Sequence, residues 1–139
     1  MLIAPKDDLS AHAVSVHPPT VENPTGYHRL IGGSVELGES HRDAIVREVH
    51  EELGATIDDL AFLAAVENIF LIDGRPGHEI VFLYSGRLEP EPASLGASLI
   101  ESDGSIVPIA WRPCDDTHEA MPLYPTEAGP WVQRILSDR

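Results

Sequence analysis

Cysteine is almost missing from this chain. Cys114 stands alone, so no disulfide can close within the sequence, and thiolate metal sites of the zinc-finger kind are excluded. Nothing in its neighbourhood would activate the thiol, which reads as inert. Basic residues are scarce too: nine Lys and Arg stand against 23 Asp and Glu, a net charge of −14 with histidine neutral. A surface this negative repels DNA, RNA and anionic lipid heads, which argues against a nucleic acid polymer or a membrane as partner. No apolar run approaches the roughly 18 residues that a membrane span needs. The first ten residues include Asp7 and Asp8 and no apolar core, so they do not read as a secretory signal, and a cytoplasmic location is expected. Internal repeats and low-complexity tracts are absent. What is present suits one packed domain over residues 1–139: the hydrophobic fraction of 42% is ordinary, so the acidity does not signal disorder. If the ligand is an anion, something positive must stand between it and the protein, and a divalent metal is the first candidate.

Along the chain, Met1–Ala4 reads as a short strand stopped by Pro5, and Ala13–Val16 as another. Pro18, Pro19 and Pro24 make His17–Thr25 a loop, and Tyr27–Ile31 is extended up to the pair Gly32-Gly33. Residues 40–53 read as a helix with marked ends. Ser40 and Asp43 form a capping box, Ile45, Val49 and Leu53 recur every four residues, and Gly54 follows as terminator. Ala61–Leu71 and His78–Leu88 read as antiparallel strands joined by the turn-rich Ile72–Gly77. Their apolar residues fall on both parities, which predicts a sheet covered on both faces. Residues 89–104 read as polar connection, Ser105–Trp111 as a strand, and Pro125 or Thr126 as the opening of a last helix through Ile135. Strands and helices in this order predict an α/β layered domain on a mixed sheet.

The informative segment is Gly33–Ala55. Glu48, Glu51 and Glu52 occupy i, i+3 and i+4, one face of the predicted helix. Like charges so placed repel by about 0.2–0.5 kcal/mol per pair, and a helix has no structural reason to gather them beside its buried stripe. A hard divalent cation removes the penalty, and carboxylate oxygens are what Mg²⁺, Mn²⁺ or Ca²⁺ prefer. Arg47 can hold a carboxylate bidentately, Glu39 can bond loop amides or accept from a water, and Gly32 can bring a backbone carbonyl close. On residue types alone a charge run on a helix is usually a solvated face.

The same segment resembles the Nudix box, G-x5-E-x7-R-E-U-x-E-E-x-G-U, with U a bulky aliphatic. Gly33, Glu39, Arg47, Glu48, Glu51, Glu52 and Gly54 occupy its seven fixed positions, and Val49 its first U. Ala55 stands where a larger aliphatic is usual, and Ile31 where a proline often precedes the double glycine. The box covers 23 of 139 residues. Family members usually carry a long strand pair ahead of it, whereas here 32 residues precede Gly33. If Met1–Ala4 is the second member of that pair, the first is missing, the sheet has a bare edge, and a homodimer is a candidate assembly.

The resemblance implies a Nudix-type α/β/α sandwich around a mixed β-sheet and hydrolysis of nucleoside diphosphates linked to another moiety. It implies that the Gly32 carbonyl, Glu48, Glu51 and Glu52 hold Mg²⁺ or Mn²⁺, that Arg47 orients the acidic side chains, and that Gly33, Glu39 and Gly54 support the loop. The proton acceptor in this family lies inside or outside the box. Glu52 is the candidate inside, Glu79 the candidate outside, and Glu101 follows. Tyr27 and His28 are candidate substrate-binding residues, and Trp111 and Tyr124 further aromatics that stack on a base or fill the core. His41 and His50 are expected exposed on the helix, and His78 as a hydrogen bonder at a turn. Rival readings are a non-catalytic nucleotide-sensing domain on the same fold and an acidic module binding Ca²⁺ incidentally, the latter without an EF-hand loop. The small-molecule nucleotide itself is left open between ADP-ribose, oxidised nucleoside triphosphates, dinucleoside polyphosphates and nucleotide sugars.

Overall fold

A computed structural model describes residues 1–93, 96–101, 103–113, 115 and 121–137; Cys114 lies outside the described residues. Eight strands appear in chain order: β1 (Leu2–Ile3), β2 (Ala11–His17), β3 (Tyr27–Leu30), β4 (Thr56–Ile72), β5 (Arg75–Glu89), β6 (Ser98–Ile100), β7 (Ile106–Pro113) and β8 (Leu123–Tyr124). Helix α1 (His41–Leu53) separates β3 from β4, and a 3₁₀ turn over Thr126–Ala128 leads into α2 (Gly129–Ser137). One sheet has the order β1-β5-β4 and the other β6-β7-β2-β3-β8. β1 runs parallel to β5 and β3 parallel to β8, while the remaining pairs are antiparallel, so the strands are mixed in direction. Bridges from Leu2 to Ile31 and from Pro5 to His12 knit the two sheets together at β1.

Strand alternation builds two cores. Leu2, Ala13, Ile31 and Tyr84 face α1 through Ile45 and Val49. Their chain neighbours Ile3, Val14, Leu30 and Leu83 face the other way, toward Val132 and Leu136 of α2. Successive side chains on a strand point to opposite faces, so these near-continuous apolar runs serve both layers. The result is an α/β/α sandwich.

Helix α1 has the ends its sequence predicts. The Ser40 hydroxyl accepts from the Asp43 amide at 3.1 Å. Gly54 takes the left-handed conformation (φ 64°), and its N–H donates to the His50 carbonyl. Ile45 and Val49 are buried and Leu53 packs against the same core.

Four expectations are corrected. Met1–Ala4 does not leave a bare edge: it pairs with β5 and bridges to Ile31, and the chain bonds on to β2, with the Lys6 amide donating to the Ala11 carbonyl and the Ala13 amide to the Ala4 carbonyl. The turn within 72–77 shrinks to Asp73-Gly74, both at positive φ (50° and 77°), and the strands run up to it. Asp-Gly is the pair that a two-residue hairpin of this hand selects. Residues 98–100, read as connection, form β6 against β7. Cover on both faces holds for Val81–Tyr84 but not at the far end of the hairpin, where Ile69, Leu71 and Ile80 are exposed.

Leu83 is fully buried while Ile80, three residues away, is 56% exposed. Leu83→Ala is therefore expected to cost about 2–5 kcal/mol in urea unfolding. Ile80→Ala should stay within about 0.5 kcal/mol of the parent. Equal losses would contradict the layer assignment.

Candidate active site

The loop between β3 and α1 is exposed at Val35 and Leu37, so burial does not hold it. Charge does. Arg47, at the middle of α1, grips Glu39 with a fork: Nε donates to Oε2 at 2.7 Å and Nη2 to Oε1 at 3.0 Å. Nη2 also donates to the Ser34 carbonyl at 3.1 Å. Glu39 in turn accepts from the Glu36 amide at 3.0 Å. Bonding to Arg47, then to that amide, draws the Glu39 carboxyl down to about 2, and the bonds to Glu39 and then Glu48 push Arg47 further above its ordinary value.

The other face of Arg47 holds the acidic cluster. Nη1 donates to Glu48 Oε1 at 3.0 Å and to Glu51 Oε2 at 3.1 Å. Gly33 makes room for Glu48: a Cβ there would stand 2.6 Å from the Glu48 carboxyl carbon. Gly32 is at φ 134°, where a side chain is strained, and its missing Cβ would meet the Met1 backbone at 3.0 Å. Glu52 is the buried member of the cluster, 8% exposed. Its Oε2 has no hydrogen-bond partner. Burial, then the bond and charge of Glu48, then the charges of Glu101 and Glu51 raise its carboxyl to about 8.

With Arg47 as counter-charge, Glu48 and Glu51 turn toward it, and no three metal-ligating side chains converge among the described residues. The donor set still suits a hard dication. It consists of carboxylate oxygens on one helix face, beside a glycine backbone, with one buried oxygen left without a partner.

These glutamates open on a cavity of about 640 Å³. Glu48, Glu52 and Glu101 line it on the α1 side, with Gly32 and Gly33. Ser15, His17, Arg29 and Glu79 also line it. Ser15 and Arg29 are register partners on β2 and β3, as are His17 and Tyr27. Glu79 accepts from Asn68 Nδ2 at 2.9 Å and lies 3.6 Å from Arg29 Nη2. His17 bonds Ser15 Oγ at 2.8 Å; burial and then the charge of Arg29 lower its ring to about 4, so it is neutral at pH 7.

The structure thus brings Gly32, Gly33, Glu48, Glu52, Glu79 and Glu101 to one cavity, with Arg47, Glu39 and Glu51 directly behind. It does not bring His28 there. That ring is buried and hydrogen-bonded to Arg112 Nη1 at 2.9 Å. Tyr27, its neighbour on the strand, points the other way. It stacks on His17 at 5.0 Å and lines a smaller pocket of about 90 Å³ with Asn23, Phe70, Tyr124, Arg29 and Glu79. His41 is not exposed as expected: it stacks on Phe82 at 4.2 Å, bonds the Tyr84 hydroxyl and lines the large cavity. His50 is exposed, and His78 donates to Glu67 at 2.8 Å at the hairpin end. Trp111 packs against the α1-side core. Ser15, His17 and Arg29 are the lining residues that spacing did not reveal, because only strand pairing aligns them.

Comparison with known proteins agrees with this geometry. The family model for the NUDIX domain matches residues 14–135. The MutT4 protein of Mycobacterium tuberculosis is 36% identical over 81 residues, which cover 58% of this chain and 30% of that protein. The chain therefore spans less than a third of that relative's length. Among solved structures, the E. coli ORF135 protein superposes with a TM-score of 0.55 at 25% identity, covering 98% of this chain and 85% of that one. A MutT NUDIX hydrolase from Burkholderia pseudomallei superposes with a TM-score of 0.65 at 22% identity, covering 96% and 92%. Fold and site define an α/β/α sandwich carrying a complete Nudix box. The chain belongs to the Nudix family, whose members generally use divalent metal ions.

The Glu39 carboxyl, drawn from 4.5 to about 2, supports the fold fully above pH 4.5 and loses that contribution as pH falls through 2. Glu39→Gln is expected to lower the melting temperature at pH 7. The gap to the parent should close steadily between pH 4.5 and 2. A gap independent of pH would show that the Arg47 pairing is not its source.

Proposed function

We propose that this chain is a divalent-metal-dependent pyrophosphohydrolase, one domain over 1–139. Its reaction is cleavage of the pyrophosphate bond in a nucleoside diphosphate linked to another moiety. The observation that carries this reading is the buried Glu52, with an unpartnered oxygen, beside Glu48 on the wall of a cavity large enough for a nucleotide. A pure binder has no need of so costly a cluster.

In this reading Glu48, Glu51 and Glu52, with the Gly32 carbonyl, hold Mg²⁺ or Mn²⁺. When bound, the cation supplies charge neutralisation of the diphosphate and Lewis acidity at phosphorus. The chain's own work is positional. Arg47 keeps Glu48 and Glu51 directed, and Gly33 lets the Glu48 carboxylate lie against the backbone. A glutamate on the cavity takes the proton of the attacking water. Glu52 is the candidate within the cluster. Glu79 is the alternative across the cavity, tethered by Asn68 and Arg29, and Glu101 closes the α1 side. The reading includes a cytoplasmic setting, and no helix of the described residues is long and apolar enough to cross a membrane. If the chain forms a homodimer, the exposed Ile69, Leu71 and Ile80 face is where a second copy would sit.

The test is a panel of ADP-ribose, oxidised and ordinary nucleoside triphosphates, dinucleoside polyphosphates and nucleotide sugars. Release of nucleoside monophosphate from at least one of them is expected with Mg²⁺ or Mn²⁺ and not in EDTA. Glu52→Gln should lower turnover by about 10²–10⁴ with an unchanged circular dichroism spectrum. Silence across the panel, or full activity in EDTA, would sink the enzyme reading. An unchanged rate in Glu79→Gln removes that residue as proton acceptor.

A further inference from the structure

Five glutamates line the large cavity: Glu36, Glu48, Glu52, Glu79 and Glu101. A polyphosphate entering it meets negative walls on both sides, and a cation held at the α1 glutamates covers only the phosphate next to it. Among the described lining residues, Arg29 is the sole Arg or Lys. It comes from β3, opposite Ser15 of β2, whereas the α1 glutamates come from the helix.

Its present partnership is loose. Arg29 Nη2 lies 3.6 Å from Glu79 Oε1, both side chains are more than a third exposed (35% and 38%), and the distance exceeds that of a charge-assisted hydrogen bond. Glu79 has a second tether in Asn68 Nδ2 at 2.9 Å, so it keeps its place if Arg29 turns away. The next ring on the same ladder, His17, is neutral at pH 7 and adds no competing positive charge. Arg29 and Glu79 also line the smaller pocket with Asn23, Tyr27, Phe70 and Tyr124, so the guanidinium stands where the two cavities meet.

We propose that Arg29 is a substrate-binding residue: its guanidinium takes the phosphate remote from the glutamate cluster, and the organic group on that phosphate extends into the pocket of Tyr27 and Tyr124. The inference deepens the pyrophosphohydrolase reading by assigning the anion-binding side of its cavity. It selects substrates in which the phosphate away from the metal carries a further group, and it gives a guanidinium fork the role it fills well, two-point recognition of phosphate oxygens.

Methylenediphosphonate, whose P–C–P bridge cannot be hydrolysed, tests it by calorimetry in Mg²⁺. Binding to the parent chain is expected, with a loss of at least tenfold in Arg29→Gln and within about fivefold of the parent in Arg29→Lys. A structural account holds that Arg29 merely neutralises Glu79, and it predicts recovery in the double variant Arg29→Gln/Glu79→Gln. Phosphate binding predicts that the double variant stays as weak as the single one. Parent-like affinity in Arg29→Gln, recovery in the double variant, or no binding to the parent overturns the proposal. A measurement on the parent alone guards against a variant that fails to fold. The probe with Mg²⁺ should slow phenylglyoxal modification of Arg29, read by mass spectrometry, at least threefold, and no protection also overturns it. Because the probe is never turned over, binding through Arg29 in a protein silent on the nucleotide panel would sink hydrolysis and leave this assignment standing.

Discussion

One guanidinium organises the site. Arg47 donates to Glu39, Glu48, Glu51 and the Ser34 carbonyl, and each of these belongs to a different part of the problem. The Glu39 and Ser34 contacts shape a loop whose apolar side chains, Val35 and Leu37, face solvent and supply no packing. The Glu48 and Glu51 contacts offset repulsion among carboxylates that α1 would otherwise carry at a cost. The loop and the acidic helix face are thus held by the same residue. A half-buried guanidinium bonded to four residues cannot be exchanged for lysine, whose single ammonium lacks the fork.

That hub works only because the sandwich beneath it is rigid. Ile45 and Val49 pin the inner face of α1 to Leu2, Ile31 and Tyr84, while the outer face keeps Arg47 and Glu51. Glu52 falls at the boundary between these faces. It sits on the buried side by one helical step, which is why it alone among the box carboxylates is buried. A residue earlier or later on the helix would place the carboxylate in the core or in open water. Its raised affinity for a proton is the electrostatic expression of that position.

How much of this the sequence discloses depends on how local each feature is. The box residues lie within 23 positions, on one loop and one helix, so spacing alone groups them. Ser40 and Gly54 mark the ends of α1 through local hydrogen bonding, and apolar residues at every fourth position mark its face. The far wall of the cavity is different. Ser15, His17 and Arg29 meet the glutamates only because β2 pairs with β3 and β1 with β5, and no local pattern states those pairings. Strands β6 and β8 have three and two residues, too few to show a period, so the sequence offers Glu101 only as a trailing candidate and does not place it on the cavity. Tyr27 and His28 separate for a different reason: Tyr27 lines the smaller pocket, whereas the His28 ring is buried against Arg112. Adjacent residues on a strand face opposite sides, so the pair could not both line one cavity, and the extended reading of 27–31 already contained that objection.

The acidity that marks the composition divides, in the folded chain, into two populations. Some carboxylates work as local hydrogen-bond acceptors at turns. Glu22 accepts from the Asp73 and Gly74 amides, Asp8 from Ser10, and Asp103 from Ser105. Glu67 pairs with His78. Such groups stabilise turns and keep the surface negative without reference to any ligand. Others, Glu48, Glu52, Glu79 and Glu101, gather with the more exposed Glu36 on one cavity, where mutual repulsion grows with burial and has no structural return. Carboxylates so placed are relieved by a positive partner or by taking up a proton, and the Glu52 carboxyl, raised to about 8, leans toward the latter. Arg47 relieves the outer edge and Arg29 partly relieves Glu79, but the buried oxygen of Glu52 is met by neither. The net charge of −14 is therefore not one property but two, a solvated surface and a concentration of carboxylates on a single cavity.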